Sequence, residues 1–169
     1  MALLPAGHAG ATAAVQPRPA GFVTPQTGLE VVPLVIRRAR GGPVTLRVEV
    51  ARTAAQQAHG MMGRLEAPPG TGMLFPRRTP ARVTFWMRDT PVALDMIFIG
   101  PDRRIELIAA DVTPLSDAMT SSKGPVIAVL EVGAGEARRL GIGVGDRVRW
   151  SLPRAPAGGA ALDRSGRPG

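Results

Sequence analysis

The stretch that decides the fold is Val92-Ala93-Leu94-Asp95-Met96-Ile97-Phe98-Ile99, followed at once by Gly100-Pro101-Asp102. An apolar run of this length, bounded by turn residues and rich in β-branched and aromatic side chains, reads as a strand covered on both faces. Gly-Pro-Asp then turns the chain into residues 104–109, so the two segments pair as a hairpin. A second run, 125–132, has the same composition and also reads as a strand buried on both faces. Between 44 and 50, Val44, Leu46, Val48 and Val50 alternate with Thr45, Arg47 and Glu49, which is the period-two signature of a half-buried strand.

Working outward, residues 29–36 form an apolar strand in which Pro33 marks an edge position or a bulge. Gly41-Gly42 is a turn. Thr53 is placed to cap a helix over 54–61 that stops at Gly60 or Gly63. Pro68-Pro69-Gly70 is a loop, and 72–75 and 82–88 are short strands. Residues 133–140 give one or two helical turns ended by Gly141. Gly145-Asp146 turns the chain into a closing strand over 147–152. About eight short strands with two short helices predict a mainly β domain, a sandwich or a barrel.

This domain occupies 29–151. The flanks 1–28 and 152–169 together hold 7 of the 17 prolines and 8 of the 21 glycines, the composition of disordered leader and tail. The first 16 residues are apolar and small, with Ala-Thr-Ala-Ala near their end. That suits the remnant of a signal peptide, but no basic residue precedes Arg18, so a disordered Ala-rich leader is the competing reading.

Composition removes several classes of function. The chain has no cysteine and no tyrosine, and its only histidines are His8 and His59. Disulfide scaffolds, thiolate nucleophiles, Cys-ligated metals and multi-histidine cages are excluded. No apolar run is long enough for an integral membrane segment. The net charge is +8, of which the domain carries +5, with 17 basic residues interspersed among 12 acidic ones. Arg37, Arg38 and Arg40, and Arg77, Arg78 and Arg82, form small clusters that read as solvated turn residues rather than an anion site. With no block of like charge, no nucleic-acid partner is expected. No cofactor is expected either, and no metal: Asp89, Asp95, Asp111, Asp117 and Glu131 lack any ligand spacing.

The remaining chemistry is carboxylate, guanidinium and aromatic. Asp95 stands in the middle of an apolar strand, where an unpaired carboxylate costs several kcal/mol, roughly. It is either held by amides or an arginine such as Arg64 or Arg88, or it is an acid, base or ligand-orienting group. Phe85-Trp86-Met87-Arg88-Asp89-Thr90 puts Trp86 and Arg88 on one face of an extended chain, a platform for a sugar or an anion, or else a packed aromatic beside a strand-end ion pair. His59 lies on the short helix with Met61, Met62 and Arg64 and has no evident orienting partner. No Gly-x-Ser-x-Gly elbow is present, and Gly141-x-Gly143-x-Gly145 precedes a strand rather than a helix, which argues against phosphate binding there.

Seven ordered pieces resemble the domain of unknown function 192 family of bacteria and archaea. They are Val48-Glu49-Val50-Ala51, Gly60-Met61-Met62-Gly63-Arg64, Gly72-Met73-Leu74-Phe75, Phe85-Trp86-Met87-Arg88-Asp89-Thr90, Leu94-Asp95-Met96-Ile97-Phe98-Ile99, Val129-Leu130-Glu131 and Gly141-Ile142-x-x-Gly145-Asp146. The match spans about 29–150. The resemblance implies a small jelly-roll-like β domain, frequently exported, with no established activity. It also implies that Met62, Arg64, Trp86, Met87, Asp95, Glu131 and Asp146 are the recurring positions. Two departures stand out. Arg88-Asp89 replaces a Lys-Asn found in many members, and Leu115 and Met119 lie in a loop where many carry cysteines.

The expected function is therefore non-catalytic binding of a small ligand, a glycan or an envelope protein partner, in the periplasm or secreted, with a cytoplasmic location as the alternative. The candidate ligand residues are Trp86, Met87, Arg88, Asp95, Met62 and Glu131. The competing reading is a carboxylate-based hydrolase or lyase that uses Asp95 with Arg64 or Arg88. A third is an interaction module presenting Met61 and Met62, which requires those side chains to be exposed.

Overall fold

A computed structural model describes residues 23–153. The expectations of a leader or signal remnant in 1–22 and of a tail in 154–169 lie outside the described residues. The elements are β1 (Glu30–Arg37), β2 (Val44–Val50), α1 (Ala54–His59), β3 (Thr71–Ala81), β4 (Thr84–Phe85), β5 (Leu94–Ile99), β6 (Ile105–Val112), β7 (Thr120–Ser121), β8 (Val126–Gly133), α2 (Glu136–Arg139) and β9 (Arg147–Trp150). Among the described residues no helix is long and apolar enough to cross a membrane.

Seven strands form one sheet in the order β6-β5-β8-β3-β2-β1-β9, and β4 pairs with β7 in a small ribbon. Every pair in the large sheet is antiparallel except β2–β3, which is parallel. A parallel pair needs a crossover, and residues 51–70, carrying α1, supply it. The sheet curls until its two ends touch, through the bridge Arg104↔Arg147 and the bonds Ile105 N–H to Asp146 O and Val148 N–H to Arg103 O.

The mainly β expectation with two short helices holds, on the barrel side of the sandwich-or-barrel alternative. The main sheet is a curled half-barrel of seven strands, with one parallel pair, and a two-stranded ribbon stands beside it.

Curling gives the sheet an inside and an outside, and each has its own apolar cluster. Leu34, Leu46, Val48, Ile97, Leu130 and Val148 belong to the inner cluster, drawn from strands all round the curl. Met73, Phe75, Met96, Phe98 and Val129 belong to the outer one, on β3, β5 and β8. Successive residues of a strand face opposite ways, so β5 and β8 feed both clusters, which is why their sequences are apolar almost throughout. The outer face is roofed by three connections: 51–70 with α1, 82–93 with β4, and 113–125 with β7.

Local chemistry explains the boundaries. Thr53 caps α1 through a capping box: its hydroxyl accepts from Gln56 N–H, and the Gln56 side chain accepts from Thr53 N–H. The helix ends at His59, two residues earlier than expected, because Gly60 takes φ 51°. Pro33 is compatible with β1 because β9 pairs only with Leu34–Arg37 and leaves that part of β1 with one neighbour. The strand expected at 82–88 shrinks to Thr84–Phe85. Its partner is Thr120–Ser121 in a loop, not a strand of the main sheet, so no longer ladder can form.

Candidate functional site

Asp95 and Glu131 are the two carboxylates set into the centre of the sheet. On β5, Asp95 faces the inner side, opposite Val132; on β8, Glu131 faces the outer side, between Met73 of β3 and Met96 of β5. Asp95 is 1% exposed and its oxygens are fully engaged. One accepts from Asp111 N–H at 2.9 Å and Gly135 N–H at 3.1 Å, and the other from Ala137 N–H at 3.0 Å. The β5–β6 register shifts at this point, and Asp111 takes φ 52° in a bulge that brings its amide inward. Gly135, which begins α2, has no side chain to cap it, so Asp95 supplies the acceptor from another strand. This is a structural knot joining β5, β6 and α2.

Glu131 is 4% exposed, and no hydrogen bond or ion pair reaches its carboxyl among the described residues. Burial without a compensating donor pushes its pKa up to about 8. The carboxyl borders a cavity of about 520 Å³ between the outer face of the sheet and its roof. The sheet supplies Phe75, Leu94, Val129 and Glu131, and the end of α1 with its following turn supplies His59, Met61 and Met62. Phe85, Trp86, Met87 and Thr90 come from the connection after β3, and Met119 from the loop before β7. Arg77 and Arg82 are exposed and form the rim. Phe85 meets Phe75 edge-on at 5.2 Å and Phe98 edge-on at 6.3 Å, which fixes the aromatic wall. Gly60 lets α1 end directly against this wall, since a Cβ there would stand 3.4 Å from Phe75. His59 Nε2 is buried with no partner among the described residues.

Four of the six expected ligand residues, Met62, Trp86, Met87 and Glu131, thus meet at one cavity, joined by His59. The other two do not. Asp95 lies on the opposite face. Arg88 stacks over the Trp86 ring, 4.0 Å from its centroid, and pairs with Asp117 at 2.8 Å. The platform exists, but one face of its ring is already taken. Arg64 pairs with Glu49 and donates to Gln26 O at 3.3 Å, away from the cavity. Asp146 accepts from Ala39 and Gly143 N–H, both at 2.8 Å, a structural role. The pairing of Asp95 with Arg64 or Arg88 as a catalytic set is therefore corrected: the structure brings neither arginine to Asp95 and spends its oxygens on amides. The module presenting Met61 and Met62 is corrected as well. Met61 is 4% exposed and Met62 half-buried, because both turn toward the cavity. The sequence reading missed Phe75, Phe85, Arg77, Arg82, Thr90 and Met119 as cavity residues. Only Phe75 had a signal, since it alternates with Met73 on a strand.

The model of the domain of unknown function 192 family (DUF192, uncharacterized ACR) matches residues 35–150. The chain belongs to this family. Two solved structures are similar to it. A Novosphingobium aromaticivorans protein of unknown function is 44% identical, with a TM-score of 0.71, covering 78% of this chain and 94% of its own. A Sinorhizobium meliloti protein, described provisionally as a transcription regulator, is 35% identical, also with a TM-score of 0.71, covering 74% of this chain and 97% of its own. Among curated proteins no match was found.

Proposed function

We propose that this chain is a small-molecule-binding domain whose site is the cavity on the outer face of the sheet. The observation that carries the reading is an apolar cavity of about 520 Å³ with an unpaired, buried carboxyl on its wall. Ligand sites are commonly cavities of roughly this size, mostly apolar with a few polar groups that set orientation. An apolar residue at position 131 would remove this desolvation cost, so among the described residues the carboxyl serves no structural contact. Binding of a glycan by stacking on Trp86 is less favoured than filling of the cavity, because Arg88 covers one face of the ring. The regulator description stays with the Sinorhizobium protein. Here Arg38, Arg52, Arg64, Arg88, Arg104 and Arg139 are engaged with carbonyls or carboxylates of the same chain. An extracytoplasmic location rests on the family resemblance alone.

A thermal-shift screen of small molecules against the wild type, Trp86→Ala and Glu131→Leu, which removes the polar group from the wall, tests the reading. A ligand at about 100 times its Kd adds roughly 2.7 kcal/mol, a shift of several degrees. The expected result is a set of stabilising compounds whose effect shrinks in both variants. Hits that stabilise both variants as strongly as the wild type place binding elsewhere and refute the cavity as the site.

A further inference from the structure

Resting on that reading, the polar groups of the cavity define what its ligand must offer. Among the described residues, Glu131 stands on β8 with no partner, and His59 Nε2, at the end of α1, is buried with none. Arg77 on β3 and Arg82 beyond it have no acidic partner among the described residues and sit at the rim. These four are the charged or titratable groups that border the cavity. We propose that the cavity binds an amphipathic carboxylate, its oxygens accepting hydrogen bonds from Glu131 and His59 and its apolar body lying against Phe75, Phe85, Trp86 and Met87.

Chemistry decides this against the obvious alternative, an ammonium paired with Glu131. The raised pKa leaves Glu131 with a protonated carboxyl at neutral pH, and a protonated carboxyl is a donor. An imidazole Nε2 that carries its hydrogen is a donor, and in His59 that nitrogen has no partner among the described residues. Both rim guanidiniums are donors with no acceptor. Each of these four groups can therefore address an acceptor oxygen, and the rim attracts an anion. An ammonium ligand would have to pass two arginines and strip the proton from Glu131 first. A hydrogen bond between a protonated carboxyl and a carboxylate is of the strong, charge-assisted kind.

Calorimetric titration with octanoate, 1-octanol and octylammonium compares one apolar body carrying three heads. Near pH 7, octanoate is expected to bind about tenfold or more tightly than octanol, as a charge-assisted bond adds to the common apolar body. Between about pH 7 and pH 9.5 its affinity should fall about 30-fold, following the loss of the Glu131 proton. Octanol should change far less. In Glu131→Gln, which keeps a donor and loses the titration, octanoate should hold its affinity across the same range. Arg77→Ala with Arg82→Ala should narrow the advantage of octanoate over octanol. Octylammonium binding most tightly, and gaining with pH, would overturn the inference, and so would a flat pH profile for octanoate. The wild-type pH series decides the sign even if Glu131→Gln does not fold. Octanol binding without a preference for octanoate defeats this inference alone; no binding by any of the three defeats the binding reading as well.

Discussion

Asp95 and Glu131 occupy neighbouring strands near the middle of one sheet, Asp95 opposite Val132 and Glu131 opposite Met96, and their side chains leave the sheet on opposite sides. The inner carboxyl meets three backbone amides; the outer one meets a cavity and no donor. Both are buried, so burial alone does not separate a structural acid from a site acid. The number of donors does. A carboxylate that accepts several amide bonds has exchanged its hydration for protein, whereas an unpartnered one keeps its desolvation cost and gives it up only when something binds or a proton arrives.

The largest expected effect comes from breaking the inner side. Asp95→Ala strands the amides of Asp111, Gly135 and Ala137, and should cost about 3 kcal/mol or more in urea denaturation, since each unsatisfied donor costs about 1–3 kcal/mol. A loss below about 0.5 kcal/mol would show that those amides find other partners and that the knot is not needed.

The outer side should respond with the opposite sign. The folded pKa of Glu131 is raised, so the folded state keeps a proton that the unfolded state releases. Stability from this group is complete below about pH 4.5, falls as pH rises, and is spent once pH passes about 8. At pH 7 the gap from 4.5 corresponds to about 3 kcal/mol, at about 1.4 kcal/mol per pH unit. Glu131→Gln should therefore be more stable than the wild type by up to that order at pH 7, and equal to it near pH 4. A variant that is destabilised at both pH values would show that the carboxyl has a structural partner.

The smallest effect sharpens the comparison at the cavity wall. Trp86 is 38% exposed and stacked by an exposed arginine, a contact worth about 0.5–1 kcal/mol. Trp86→Ala should cost about 1 kcal/mol or less in stability while weakening ligand binding about tenfold or more, measured by melts and titration on the same sample. A loss of several kcal/mol would make Trp86 a core residue rather than a wall of the site.

Much of the sheet could be read from residues 44–50, 94–109 and 126–132, because period-two alternation and long apolar runs are local properties of the chain. The parallel β2–β3 pairing and the curl could not, since each depends on contacts between distant segments. The same limit explains the site. Asp95 interrupts an apolar strand and was visible for that reason; Glu131 was visible only as a recurring position of the family the chain resembles. What distinguishes them is the chain that reaches them. Asp95 receives amides from positions 111, 135 and 137, far along the sequence. Glu131 faces a roof built from three separate connections, none of which brings a donor. Trp86, Met87, Met62 and His59 could each be singled out by type, but only the crossover carrying α1 and the connection after β3 together bring them to one cavity.

The central claim, that Glu131 stands unpaired and buried at a ligand cavity, is tested most directly by NMR titration of its side-chain carboxyl carbon in the unliganded protein, assigned by comparison with Glu131→Gln. The account predicts a midpoint near pH 8. A midpoint in the ordinary carboxylate range, near 4.5, would mean that water or a donor already satisfies Glu131, and would contradict it.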